Sequence, residues 1–165
     1  MPGYFGYIST DIDCLKDVDI TDRLDLMGNC RSKIVKQPGF FLACLWPKEA
    51  SLEGNFIFED DRWAILFDGD LVDGPIPLED EGVPWKKILD IFAKESYLDF
   101  QDLRGLFSIA AFNKKARSLF LVTDRIGMSP LYYLKLPHGF WFSTSLSAFY
   151  CLKKDFKINF RYIYD

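Results

Sequence analysis

Hydrophobic positions along this chain fall mostly in short alternating or continuous runs, the signature of strands, and seldom at helical spacing. Residues 3–9, GYFGYIS, alternate: Tyr4, Gly6 and Ile8 share one face, and Phe5, Tyr7 and Ser9 the other. Residues 11–37 are charged and weakly periodic, with Thr21 as the N-cap of a short helix stopped near Gly28. After a Pro38-Gly39 turn, FFLACLW (40–46) is a continuous apolar strand buried on both faces and ended by Pro47. NFIFED (55–60) alternates, turns at Asp60-Asp61 and returns as RWAILFDGD (62–70).

GPIPLEDEGVP (74–84) reads as an acidic loop, with Glu79, Asp80 and Glu81 on a solvated face. WKKILDIFAKES (85–96) carries Trp85, Ile88, Leu89 and Phe92 at helical spacing, a core-facing stripe. GLFSIAAFN (105–113) and SLFLVTD (118–124) flank a polar hairpin turn. LYYLKL (131–136), a turn at His138-Gly139, and FWFSTS (140–145) follow, and LSAFYCLKK (146–154) reads as a helix. The last stretch, INFRYIYD, is still periodic where the sequence stops, which predicts a docking segment or a continuing chain. Strands outnumber helices and most are joined by tight turns, so the expected architecture is two largely antiparallel sheets with helices on their outer faces.

Composition narrows this picture little. The 165 residues suffice for one domain with a real core, and 17% aromatics suit pleated, sheet-rich packing. A net charge of -4 argues against a nucleic-acid face, and no apolar run is long enough to span a membrane. The four cysteines, Cys14, Cys30, Cys44 and Cys151, form no CxxC pair and lie far from the single histidine, His138, so no metal site is expected. With no secretory leader visible, reduced thiols in a cytoplasmic protein are the expectation. Taken alone, Asp68-Gly69-Asp70 reads as a turn, Asp124-Arg125 as an ion pair locking a loop, His138 as an exposed turn residue, and Tyr132 and Tyr133 as strand packing.

One segment carries more. LRGLFSIAAF, SLFLVTDRIGMSPLYY and FWFSTSLSAF follow the pattern L-x-G-x-F-A-F-A, a polar turn, L-x-L-x-R-D-R-x-G-x-x-P-L-Y-Y, and a strand ending F-A-S-E before a helix. Gly105, Asp124, Arg125, Gly127, Pro130, Leu131, Tyr132 and Tyr133 are in register, MPGYFGYIS is similar to M-C-G-I-F-G, and AILFDGDLVDG to V-x-x-N-G-E-I-Y-N. The chain resembles the class II glutamine amidotransferase (glutaminase) domain of asparagine synthetase-like proteins, which have the N-terminal nucleophile hydrolase fold. The resemblance implies an α+β fold, a four-layer α/β/β/α sandwich of two largely antiparallel sheets. It places the glutaminase-like domain at 1–155 and the start of a linker or docking segment at 156–165, leading to a synthetase domain that would use ATP and magnesium; none of these cofactors is expected within this domain. A synthetase domain or subunit is the implied partner, and a homo-oligomer is compatible.

In that family the N-terminal Cys attacks the glutamine amide with its own α-amino group as base, and an Asn side chain and a Gly N–H hold the oxyanion. At the matching positions this sequence has Pro2 for the nucleophile, Asp68 for the oxyanion Asn, Gly69 retained, and Asp70 for a Glu. The Arg that grips the substrate carboxylate has no counterpart in FLACLW, where Cys44 is nearest, and the Asp before the helix falls at Pro84. The Arg preceding Asp124 reads Thr123. Proline offers no thiol, and an ionised Asp68 has no N–H to donate. The expectation is therefore a catalytically inactive glutaminase-like domain, the N-terminal scaffold of an ATP-dependent amide-forming ligase. The alternatives are a stand-alone ligand-binding or regulatory module, and an amidotransferase with a non-standard nucleophile such as Cys14, Cys30 or Cys44.

Overall fold

A computed structural model describes residues 3–9, 30–49, 56–71, 85–95 and 97–150. The strands are β1 (Gly3–Ser9), β2 (Cys30–Gln37), β3 (Phe40–Pro47), β4 (Ile57–Glu59), β5 (Trp63–Leu71), β6 (Gly105–Asn113), β7 (Ser118–Thr123), β8 (Tyr132–Leu136) and β9 (Gly139–Ser143). Helix α1 spans Trp85–Lys94, a 3-10 turn spans Tyr97–Asp102, and α2 spans Ser147–Tyr150. The first sheet runs β2-β3-β1-β9-β8 and the second β4-β5-β6-β7. Every neighbouring pair is antiparallel.

Three apolar layers show how the sheets stack. Tyr4, Leu42, Cys44 and Phe142 of the first sheet meet Ala64, Leu66, Ala110 and Phe112 of the second, forming the inter-sheet core. Phe67, Phe107 and Ile109 pack on Ile88, Ile91 and Phe92 of α1 behind the second sheet. Phe5, Tyr7 and Trp141 pack on Ala148 and Phe149 of α2 behind the first. Both faces of each sheet are thus covered, and the described residues make the expected α/β/β/α sandwich.

The continuous run at 40–46 is buried throughout because β3 lies between β2 and β1, with one face on the inter-sheet core and the other under α2. Gly6 sits where β1 crosses Leu42 and Phe142, and a Cβ there would drive into the Phe142 ring. The hairpin at Asp60 is fixed by its own carboxylate: Oδ1 accepts from the N–H groups of Arg62 at 2.8 Å and Trp63 at 2.6 Å. At one end of the sandwich the sheets are tied together. Arg117 donates to Pro38 O at 3.1 Å and lies 5.7 Å from the Phe112 ring centroid.

One sequence expectation is corrected. Residues 30–37, read as part of a charged and weakly periodic stretch, form the edge strand β2, paired from Cys30↔Pro47 to Gln37↔Phe40. Only Val35 of that strand is buried, so the hydrophobic alternation that betrays a strand is missing. Lysine and arginine on an edge keep it from pairing with other chains. The proposed Thr21–Gly28 helix, the 74–84 loop, and residues beyond 150 lie outside the described residues.

Candidate functional site

Strand β1 is the best-anchored element at the site. Thr144 Oγ1 accepts from Tyr4 N at 3.0 Å, and Tyr4 O accepts from Thr144 N and from Ser143 Oγ, each at 3.0 Å. The Tyr4 side chain therefore enters the inter-sheet core from a backbone held on both its donor and its acceptor. Cys44 is its direct partner on β3, and Asp68 and Ser108 are direct partners on β5 and β6. Strand alternation puts all four side chains on inner faces, at the end of the sandwich opposite the Arg117 tie.

The hydrogen bonding of this group is incomplete. Tyr4 is 2% exposed and Ser108 fully buried, yet neither hydroxyl has a hydrogen-bond partner. Burial pushes the Tyr4 hydroxyl well above its ordinary range, an effect Ser108 tempers and Asp68 reinforces. Ser108 Oγ lies near enough to exert that influence, but the two oxygens fall outside hydrogen-bond geometry. The indole N–H of Trp46, in the same layer, is also buried without a partner. Unpaired buried hydroxyls are unusual, since each forgoes its hydrogen bonds to water.

Asp68 is partly buried, and burial, followed by the neighbouring charge of Asp70, pushes its carboxyl up to about 6, with the charge of the N-terminal amine opposing. Cys44 is buried, and burial, then the Asp68 charge, push its thiol up to about 12, with Lys33 opposing. The cluster thus holds a protonated thiol, two unpaired hydroxyls and a carboxylate near its titration point. Its described members offer acceptors for hydrogen bonds, and the positive charge acting on Asp68 is that of the chain's own N-terminal amine.

Asp68-Gly69-Asp70, read from the sequence as a turn, is instead strand: all three lie within β5 and pair with β6, as Asp68↔Ser108, Gly69↔Phe107 and Asp70↔Leu106. Gly69 has φ +118, and a Cβ there would strike the Leu106 carbonyl. Only glycine lets β5 lie this close to β6 at that position. Asp70 is exposed beyond it. Pro2 and Pro84 lie outside the described residues.

Asp124 lies at the same end, immediately after β7. Its Oδ1 accepts from Ile126 N and Met128 N, each at 3.1 Å, and its Oδ2 from Ser129 N at 2.8 Å. Burial pushes the Asp124 carboxyl up, but these amides, with that of Gly127, outweigh it and hold the carboxyl below its ordinary range. Gly127 supplies the left-handed step at φ +67, and Pro130 is exposed at the loop's end. The expected Asp124–Arg125 ion pair is corrected here. Arg125 turns away to donate to Gln101 O at 2.7 Å, while the loop's own N–H groups satisfy the carboxylate. His138 is exposed in its turn, where its carbonyl accepts from Ser9 Oγ at 2.8 Å.

Sequence reasoning singled out Asp68, Gly69 and Cys44 but missed Tyr4 and Ser108. The alternation of β1 and β6 marks both as inner-face positions; their meeting depends on how the two sheets stack.

Residues 86–151 match the family model described as "Glutamine amidotransferase domain". The chain is 32% identical to "Asparagine synthetase [glutamine-hydrolyzing] 2" of Bacillus subtilis over 63 residues, 38% of this chain and 8% of that protein. It is 27% identical to "Asparagine synthetase [glutamine-hydrolyzing] 3" of the same organism over 100 residues, 55% of this chain and 16% of that protein. The matched regions thus cover less than one fifth of either relative's length.

Proposed function

For this glutamine amidotransferase-like domain, related to asparagine synthetases, we propose a scaffolding role without glutaminase activity. The observation that carries the reading is the identity of residue 2: proline stands where the family presents its thiol. Asp68 supports it independently. A carboxylate at the oxyanion position repels the developing negative charge that an amide N–H would stabilise.

Cys14 and Cys151 lie outside the described residues, and the two described thiols, Cys30 and Cys44, do not substitute well. Cys44 is held as the neutral thiol by its burial and by Asp68, and the thiolate is the nucleophile. Cys30 is on edge strand β2, paired with Pro47. Neither lies beside a free α-amino group along the chain, as the family's nucleophile does.

On this reading residues 1–155 are the domain, and 156–165 lead toward a synthetase domain or subunit that binds ATP and magnesium and forms an amide from an amine already present in its substrate. The protein is then cytoplasmic. No helix among the described residues is long and apolar enough to cross a membrane.

The test is glutamine hydrolysis by the purified full chain. Glutamate release equal to a no-protein blank is expected. Release above the blank, abolished by a thiol-directed glutamine analogue, overturns the reading. The gene downstream of Asp165 separates scaffold from stand-alone module: a pyrophosphatase loop of the S-G-G-x-D-S type supports the ligase, and a stop codon the module.

A further inference from the structure

Among the described residues β2, β4, β7 and β8 form the sheet edges, and all but one carry a device that discourages pairing. β2 bears Arg31, Lys33 and Lys36, β4 is three residues long and ends on Glu59, and β8 bears Lys135. β7 has no such device. Its residues, SLFLVT, include no charge, proline or glycine, and it pairs only with β6 among the described residues. The direction of its backbone groups follows from its neighbours. Lys114 N donates to Arg62 O on the β5 side, and Asp124 N donates to Phe107 O across the β6–β7 pair. Antiparallel strands alternate, so Ser118, Phe120 and Val122 turn their N–H and C=O toward β6. Leu119, Leu121 and Thr123 therefore aim theirs outward.

This edge is complementary to itself. When two copies of β7 run antiparallel about a two-fold axis at Leu121, Leu121 faces Leu121 of the second copy and Leu119 faces Thr123. Each facing pair is of the hydrogen-bonded kind, so every outward N–H meets an outward C=O. Phe120 then lies opposite Val122, an aromatic and β-branched pair. Phe120 and Val122 belong to the layer against α1, and Leu119 and Leu121 to the inter-sheet core, so both apolar layers run on across the junction. A charged strand would find no counter-charge on β7, whereas a second β7 brings no charge to desolvate. The flanking cations are engaged within the chain, Arg117 by Pro38 O and Arg125 by Gln101 O. Ile126 and Met128, in the connection that leaves β7, are strongly exposed beside it. We propose that β7 is a self-association edge, on which a second copy of this chain adds its own β7 as an antiparallel strand and fuses two four-stranded sheets into one. Side chains 118–122 are already half-buried, so pairing hides little further apolar area and the dimer is weak and concentration-dependent. It does not depend on the proposed loss of glutaminase activity.

Sedimentation velocity on the full chain, from about 1 to about 200 μM, reads the monomer–dimer balance over the range of a weak interface. Amide exchange, followed by fragmentation mass spectrometry at both ends of that range, reads the edge itself. A dimer is expected to accumulate with concentration. Protection at Leu119, Leu121 and Thr123 should rise at least tenfold from dilute to concentrated protein, while Phe120 and Val122, bonded to β6, stay protected in both. Thr123→Pro removes an N–H that the monomer leaves unused, at an edge position where proline is tolerated. It should weaken dimerisation at least tenfold, with the melting temperature of the dilute protein close to the parent's. Thr123→Lys puts a charge on the same exposed residue without removing the donor, and should also weaken dimerisation at least tenfold; it carries the test if the proline variant does not fold. A chain that stays monomeric throughout overturns the proposal. So does protection of Leu119, Leu121 and Thr123 at every dilution, which would mean that the edge is covered from within the chain. Dimers that persist in a folded variant, or that leave those three amides unprotected, use another surface and overturn it as well. An assembly larger than two also overturns it, because a two-fold contact closes on itself.

Discussion

Tyr4 and Ser108 bring two buried hydroxyls together from opposite sheets, and neither completes a hydrogen bond. Replacing a buried unsatisfied hydroxyl by an apolar group removes a desolvation cost and sacrifices no bond. Tyr4→Phe is therefore expected to stabilise the fold by about 1 kcal/mol, and Ser108→Ala by somewhat less. Urea denaturation at unchanged m-value measures both. A loss of stability in either variant would mean that the hydroxyls are bonded in solution.

Asp68 should make stability fall as pH rises through the weakly acidic range. Its folded-state carboxyl titrates at about 6, against an ordinary value of 3.8, so the folded chain keeps a proton that the unfolded chain has released. Stability then drops between those two values and levels off above them. Asp68→Asn should flatten that part of the profile and gain about 1 kcal/mol at pH 7, after discounting for the carboxylate's partial contact with water. Thermal melts from pH 4 to 8 provide the comparison.

Asp124 carries the opposite sign. Its carboxyl sits below the ordinary range, so its contribution is complete at neutral pH and is lost as pH falls through its folded-state value. Asp124→Ala strips the acceptor from three backbone amides at once. A loss of about 2–3 kcal/mol is expected, with faster amide exchange at Ile126, Met128 and Ser129. Asp124→Asn should retain part of the stability and lose the acid sensitivity.

Gly69→Ala should cost about 3 kcal/mol. The φ of +118 is hostile to a side chain, and the new methyl meets the backbone carbonyl of Leu106. A drop in the denaturation midpoint is expected, with the largest chemical-shift changes along β5 and β6. A neutral result would require the strand to relax.

The sandwich was legible wherever a strand has one face in a core and a partner on each side. GYFGYIS and FFLACLW declare themselves through alternation and continuity because β1 and β3 are central strands of the first sheet. CRSKIVKQ was not legible, because an edge strand needs little burial and carries charge for other reasons. Pro2 is readable from its place in a motif. The Tyr4–Ser108 meeting is not, since no local pattern specifies which inner-face residues of two stacked sheets will face one another. Asp124-Arg125 misled through adjacency: opposite charges in sequence suggest a pair, but the turn offers the carboxylate several amides that are closer and better aimed.

The position of β1 also bears on synthesis. Gly6 lies between Leu42 of β3 and Phe142 of β9, and the bond from Tyr4 to Thr144 joins residues 140 positions apart. At ordinary translation rates this leaves the apolar strand GYFGYIS half-paired for on the order of 10 s after it leaves the ribosome. During that interval it is a natural client for a chaperone, because its last neighbour in the sheet has yet to be made.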